Sequence, residues 1–227
     1  MCRFPCEKTR TPSIVQPITF SKVNTIILVW LAPQTNLFGS VYQKIWILMS
    51  EKNINTINNT YWHKNIWFKE HIPRNAFISW LALRRRLPTK DRLRRWGLNV
   101  SGTCALCNLE IETHHHLFFE CSFSRLICEP FAAEVWISTP ADLHSIAAWI
   151  NQPRVNTDVH ATPVIKLYFQ SAIYLLWKER NACVFTAVSS PSSVILASLD
   201  RMMRDRLFSY PASSSFSSSL LLFIFLV

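Results

Sequence analysis

Between Cys104 and Cys121 the chain reads C-A-L-C-N-L-E-I-E-T-H-H-H-L-F-F-E-C. Three thiols and a run of three histidines fall within eighteen residues. Thiolate and imidazole are the ligands a structural zinc ion takes in a closed tetrahedron, and three sulfurs with one nitrogen is one of its standard sets. The two-residue gap lets Cys104 and Cys107 bite one ion from a single tight turn. Spacing alone leaves the nitrogen ligand open among His114, His115 and His116, because consecutive residues differ only by a rotation of the local turn. The competing reading is a set of buried thiols beside surface histidines. A lone C-x-x-C would not exclude it; a histidine and a third cysteine at matching spacing argue against it.

Just upstream lies a dense cationic segment. Trp62 to Trp96 contains ten Lys/Arg and two acids, Glu70 and Asp91, so it carries +8 of the formal net charge of +10. A local excess of this kind attracts polyanions and steers their approach. A basic stretch can also be no more than a solvated helix face. Its position beside a Cys/His cluster favours nucleic acid, RNA or DNA, as the partner. Arg84, Arg85, Arg86, Lys90, Arg92, Arg94 and Arg95 are the candidate contacts. Trp80 or Trp96 offers a surface for base stacking, although a tryptophan at helical spacing is more often core. Charge without a base-reading element implies weak sequence preference and steep salt dependence.

The elements that must hold these residues are foreshadowed by composition. Of 227 residues 49% are hydrophobic and 17% charged, enough for a real core and too apolar for a disordered polar tract. There are three glycines, Gly39, Gly97 and Gly102, where average usage is about 7%. That deficit removes Gly-rich phosphate loops, dinucleotide fingerprints and nucleophile elbows, and it favours helices over turn-rich sheets. Seven unevenly spaced cysteines, with no apolar core to a leader between Met1 and Lys22, speak against a disulfide framework and secretion. Cys2, Cys6, Cys128 and Cys183 read as free thiols, the last two packed. Ile26–Ala32 and Leu220–Val227 are too short to span a bilayer, which takes about twenty apolar residues.

The expected architecture is mainly α: a small helical zinc-binding module, further C-terminal helices and a poorly ordered N-terminus. Residues 1–60 read as poorly ordered or degraded, with one short amphipathic helix at Val41, Ile45 and Leu48. Residues 61–131 form the zinc-binding domain and 132–163 a linker. A C-terminal helical region follows over 164–208, then a Ser-rich and apolar tail over 209–227. An aromatic cluster at Trp62–Phe68 precedes Pro73, with its W-x-x-x-I-W face exposed. Asn75 is the expected N-cap of a helix from Ala76 to about Arg86 with Phe77, Trp80 and Leu81 inward, Arg84–Arg86 in its last turn and Pro88 ending it. Thr89 caps a second helix, Lys90–Trp96, stopped by Gly97. Thr113 caps the turn carrying His116. Phe123, Leu126 and Ile127 mark a short helix ending near Pro130, and Ala141–Ile150 is weakly helical. Ile165–Phe185 has the length of a buried helix, with Trp177–Arg180 its polar transition. Ser193–Leu207 is amphipathic. No internal repeat occurs.

The run I-W-F-K-E-H-I-P-R-N-A-F-I-S-W-L-A-L-R-R-R-L-P-T-K-D-R-L-R-R-W-G, followed by C-A-L-C, E-T-H-H-H-L-F-F-E-C and S-F-S-R, closely resembles the reverse transcriptase zinc-binding domain of plant LINE-type (non-LTR) retrotransposons. The resemblance covers roughly Trp62 to Phe131. I-Y-L-L-W-K-E-R-N-A-C-V-F, from Ile173, and S-Y-P-A-S-S-S, from Ser209, resemble the tail of the same elements. The family pattern is Cys-x-x-Cys, a spacer, His directly before Leu-Phe or Leu-Leu, then Cys. It implies Cys104, Cys107, His116 and Cys121 as the ligands of a structural zinc, and it disfavours Cys128 as the fourth.

The resemblance implies descent from a polymerase-bearing element but not polymerase activity. The aspartates Asp91, Asp142, Asp158, Asp200 and Asp205 are isolated from one another, so two-metal phosphoryl transfer and ribonuclease H chemistry lack their carboxylates. A closed four-ligand shell also disfavours catalytic zinc, and the deaminase pattern is absent. Glu112 and Glu120 read as solvated or as supports of the ligands. The expectation is therefore a non-catalytic, zinc-stabilised nucleic-acid-binding module without membrane or small-molecule substrate. The alternatives are a structural module docking on a reverse transcriptase or another protein, or an inert remnant of a retroelement. The basic run R-R-R-L-P-T-K-D-R-L-R-R suits a nuclear or cytoplasmic chain.

Overall fold

The structure, a computed structural model, describes residues 62–135, 142–151 and 161–209. Among them the chain is mainly α-helical, the mainly α class expected, and the one extended pairing is an isolated antiparallel bridge between Thr103 and Ile111. The expectations for residues 1–60, the short helix at Val41–Leu48, Cys2 and Cys6, the parts of the 132–163 linker at 136–141 and 152–160, and the apolar tail lie outside the described residues.

The first element, α1 (His63–Ile66), is a single turn whose Asn65 and Ile66 are fully buried. Trp62 is buried too, so the aromatic cluster expected to be exposed at Trp62–Trp67 belongs to the core, with Trp67 only half-exposed.

Helix α2 (Pro73–Leu83) starts earlier than its sequence signals imply. Proline takes the first helical position, where its missing N–H costs nothing, and extended Ile72 is the N-cap. Asn75 is therefore no cap: it is buried within the helix, and its Nδ2 donates to Ser171 Oγ at 3.0 Å. The inward set is Ala76, Ile78, Ser79, Trp80, Leu81, Ala82 and Leu83, with Phe77 only half-buried; the helix is enclosed nearly all round.

The helix also stops before the arginines. Arg84 is the C-cap and Arg85 adopts a left-handed φ of 50°. Arg86 N–H reaches Leu81 O at 2.7 Å and Arg85 N–H reaches Ala82 O at 2.9 Å. This pair of bonds is a Schellman closure. It ends α2 several residues ahead of Pro88 and turns all three arginines to solvent.

Helix α3 (Lys90–Arg95) begins at Thr89 and ends in the same way, here with Gly97 at φ 84° supplying the left-handed position. Leu93 is its one fully buried residue. A π-helical turn (His116–Glu120) leads into α4 (Ser122–Val135). Helix α4 runs through Pro130 instead of ending near it, and Leu126 is exposed. Helix α5 (Leu143–Ile150) is capped by Asp142, whose carboxylate accepts from Ser145 N–H at 2.7 Å. That bond holds the Asp142 carboxyl below its ordinary range.

The centre of the molecule is α6 (Ala161–Thr186). It packs against α2 on one side and α7 (Ser192–Phe208) on another. Helix α7 presents Ile195, Leu199, Met203 and Leu207 inward, with Met202 at the margin. Several polar side chains of α6 donate to backbone carbonyls of other elements. Gln170 Nε2 donates to Asn65 O and Ile66 O at 2.9 Å, and Tyr168 OH to Ile127 O at 2.9 Å. Such bonds are favourable chiefly because an unpaired buried polar group is costly. Trp177, Glu179 and Arg180, expected to mark a polar transition, are all buried.

Candidate metal centre and basic cleft

The loop before the π turn is built around paired backbone bonds. Glu112 N–H donates to Gly102 O at 2.8 Å and Cys104 N–H to Glu110 O at 2.7 Å, with Thr103 and Ile111 bridged between them. At the tip Asn108 N–H returns to Cys104 O at 3.0 Å, and Asn108 takes a left-handed φ of 57°. Asparagine tolerates that region better than most side chains. The result is a tight knuckle that points Cys104 and Cys107 the same way.

The facing ligands come from the π turn. Thr113 caps it as expected, its Oγ1 accepting from His116 N–H at 2.9 Å. Cys121 N–H closes on His116 O at 2.8 Å, a bond spanning five residues. That wider turn lets side chains five apart converge, and π turns occur often at functional sites. Leu117 and Phe118 anchor the turn in the core.

Cys104, Cys107, His116 and Cys121 are all buried, and their ligand atoms lie within 4.8 Å of one another. Cys104 Sγ is 3.9 Å from Cys121 Sγ, and Cys107 Sγ is 3.3 Å from His116 Nε2. A zinc tetrahedron with bonds of about 2.3 Å to sulfur and about 2.0 Å to nitrogen has edges of about 3.5–3.8 Å. The donor set therefore fits zinc in both chemistry and size. Cys104 donates to Cys121, which lowers the Cys121 thiol and raises that of Cys104. The N–H groups of Ser124 and Phe123, at the start of α4, add to the lowering at Cys121. Zinc bound there would take the sulfurs as thiolates. Glu120 Oε2 lies 4.0 Å from His116 Nδ1, on the side of the ring away from the sulfurs, the usual place for a carboxylate supporting a metal-bound imidazole.

The other histidines face elsewhere. His114 turns its Nδ1 toward Thr89 Oγ1 at 3.4 Å, and burial together with nearby Arg92 lowers it to about 4. His115 is exposed and meets Glu120 Oε1 at 3.2 Å. Cys128 lies on α4 outside the ligand group, and Cys183 is buried on α6.

Glu112 is not solvated. It is 0% exposed, as is Arg180 of α6, whose Nη2 lies 2.6 Å and Nε 3.0 Å from Glu112 Oε1. Lys90 N–H donates to the same oxygen at 2.8 Å, and Ala105 N–H to Oε2 at 3.2 Å. One carboxylate thus joins the knuckle, the start of α3 and the central helix. Burial pushes the Glu112 carboxyl up, but Arg180 and the Lys90 amide outweigh it and hold it below its ordinary range. Arg180 also lies over the Trp177 ring at 4.9 Å. The sequence signal for this node was a single arginine directly after glutamate in a long helix of high apolar density.

The basic segment divides. Arg84, Arg85, Arg86, Arg94 and Arg95 are exposed, and Arg92 is half-buried. Lys90 turns back, its Nζ donating to Thr103 O at 2.6 Å, so it clamps α3 to the knuckle. Arg84 lies over the buried Trp80 ring at 5.4 Å, and Arg92 over the half-buried Trp96 ring at 5.1 Å. Arg85, Arg92, Arg95 and Trp96 line a cleft of about 520 Å³ together with His114, His115, Phe119 and Asp142–His144. No helix among the described residues is long and apolar enough to cross a membrane.

Neither a curated protein nor a solved structure matches this chain. Residues 41–127, the stretch that contains all four ligands, match the family model described as zinc-binding in reverse transcriptase.

Proposed function

We propose that this chain is a non-catalytic nucleic-acid-binding module derived from the reverse transcriptase of a plant LINE-type (non-LTR) retrotransposon. Zinc shapes the knuckle, and the basic segment after α2 contacts phosphates. The observation that supports this most is the mounting of the arginines. Six of the seven cationic candidates reach solvent or the cleft, from the end of α2 and from α3, the latter held to the knuckle by Lys90 and Glu112. Pre-set charges of one sign bind polyanions with little ordering cost, through release of counterions.

The test is fluorescence anisotropy of the zinc-loaded chain on a labelled oligonucleotide across a salt series. Affinity should fall steeply with salt and vary little with sequence. Replacing Arg86 by Ala should reduce the salt slope by about one. Binding that is equal at about 50 and about 200 mM salt would remove this reading.

A second reading, docking on a reverse transcriptase or another protein, is favoured by the tip of the knuckle, where Leu109 is 73% and Ile111 62% exposed. A stable protein complex that survives Arg-to-Ala changes on the basic segment but not Leu109→Ser would support it. Nuclear or cytoplasmic residence follows from either reading.

A further inference from the structure

We propose that the cleft between α3 and the π turn holds one unstacked nucleotide, so that the protein selects single-stranded over duplex nucleic acid. This rests on the nucleic-acid reading above and narrows it.

The lining combines two chemistries. Arg85, Arg92 and Arg95 bring three guanidiniums to the cleft. Burial chiefly, with Arg95 and Arg86 adding to it and Asp91 opposing, lowers the pKa of Arg92. The cleft is also lined by the stacked rings of His115 and Phe119, 5.7 Å apart and 22° from parallel. Guanidiniums and aromatic rings lining one cleft match the two halves of a nucleotide, phosphate and base. Aromatic and guanidinium planes are the surfaces on which proteins stack splayed bases. The volume, about 520 Å³, lies within the common range of about 300–1,000 Å³ for small-molecule sites.

Two acids also line the cleft, and both are engaged by their own elements. Asp91 accepts from Arg95 Nη2 at 2.7 Å and from Thr89 Oγ1 at 2.5 Å. Asp142 is the cap of α5. An incoming phosphate would compete with Asp91 for Arg95 and meet Arg85 and Arg92 directly, neither of which forms an ion pair among the described residues. A duplex cannot offer an unstacked base here without opening. Charge alone would predict the reverse preference, because a duplex has the denser phosphates.

The test compares a labelled single strand with a duplex of equal length, using the full zinc-loaded chain and anisotropy at fixed salt. The single strand should bind about 10-fold more tightly. His115→Ala combined with Phe119→Leu should remove most of that advantage while leaving duplex affinity and zinc content as they were. His115→Ala alone, at an exposed ring, should remove part of it. Equal or tighter duplex binding by the unaltered chain would overturn the cleft proposal and leave the broader reading standing. Failure to bind either form at low salt would overturn both. Displacement of the strand by polyglutamate as readily as by unlabelled strand would show a site for any polyanion, and would also overturn the proposal.

Discussion

His116 is distinguished from its two neighbours by the direction its ring takes. Its Nε2 meets Cys107 Sγ, whereas His114 is turned to Thr89 and His115 to solvent and Glu120. Three of the four ligands are held by a local device: the knuckle bonds for Cys104, the Thr113 cap for His116 and the start of α4 for Cys121. His116→Ala should therefore lose the bound zinc, as should Cys104→Ser, while His114→Ala and His115→Ala each keep one zinc per chain. Native mass spectrometry of protein purified without added metal reads this directly. Retention of zinc by His116→Ala would assign the nitrogen ligand elsewhere. The same three-histidine run thus gives one residue to the metal and two to the cleft, His114 half-buried against Thr89 and His115 exposed.

At the scale of elements, the ends of helices decide where charge goes. Arg85 occupies the left-handed position that closes α2, a place where any side chain but glycine is strained. Arg85→Gly should relieve that strain and raise stability by about 1 kcal/mol, measured by urea unfolding. It should also weaken nucleic-acid binding, because a cleft guanidinium is lost. Opposite changes in the two measurements would mark strain kept at a functional site.

The Glu112–Arg180 pair joins elements instead of ending one. Arg180→Met leaves a buried carboxylate without its counter-charge and should cost about 3–5 kcal/mol. Its pH dependence carries a sign. In the native chain the Glu112 carboxyl is held low, so its contribution is present above the unfolded value of about 4.3 and is lost as pH falls through the folded value. In Arg180→Met, burial dominates and raises that carboxyl. The same glutamate should then favour the folded state as pH falls. Unfolding curves from pH 7 to pH 3 for both proteins, with identical acid sensitivity, would show that the pair is unimportant.

For the molecule as a whole, the zinc region and the C-terminal helices share one apolar core running from Trp62 to Leu207. Helix α2 packs more extensively on α6 than on any other element. A fragment of residues 60–135 would uncover that face of α2, leave Gln170's and Tyr168's partners unpaired and strip Glu112 of Arg180. It should bind zinc more weakly than the full chain and unfold without a cooperative transition, as followed by circular dichroism against temperature. A sharp transition at the full chain's midpoint would show that the knuckle stands alone.

Local chemistry was legible in the residues themselves. The Cys/His spacing, the Thr113 and Thr89 starts, the Gly97 stop and the amphipathic face of α7 depend on neighbours within a turn or two. Their outcome is set by short-range geometry. Long-range pairing decided the rest. Asn75 looked like a cap because asparagine caps helices, but Ser171, distant in sequence, gave its amide a buried partner. Trp62 looked exposed, and Arg180 looked like a polar margin, for want of the surfaces that cover them. Glu112 and Arg180 are 68 positions apart in the chain, and no periodicity reports a match at that distance. A buried charge is tolerated only where its counter-charge and hydrogen bonds arrive together, and that condition is met by the assembled tertiary structure alone.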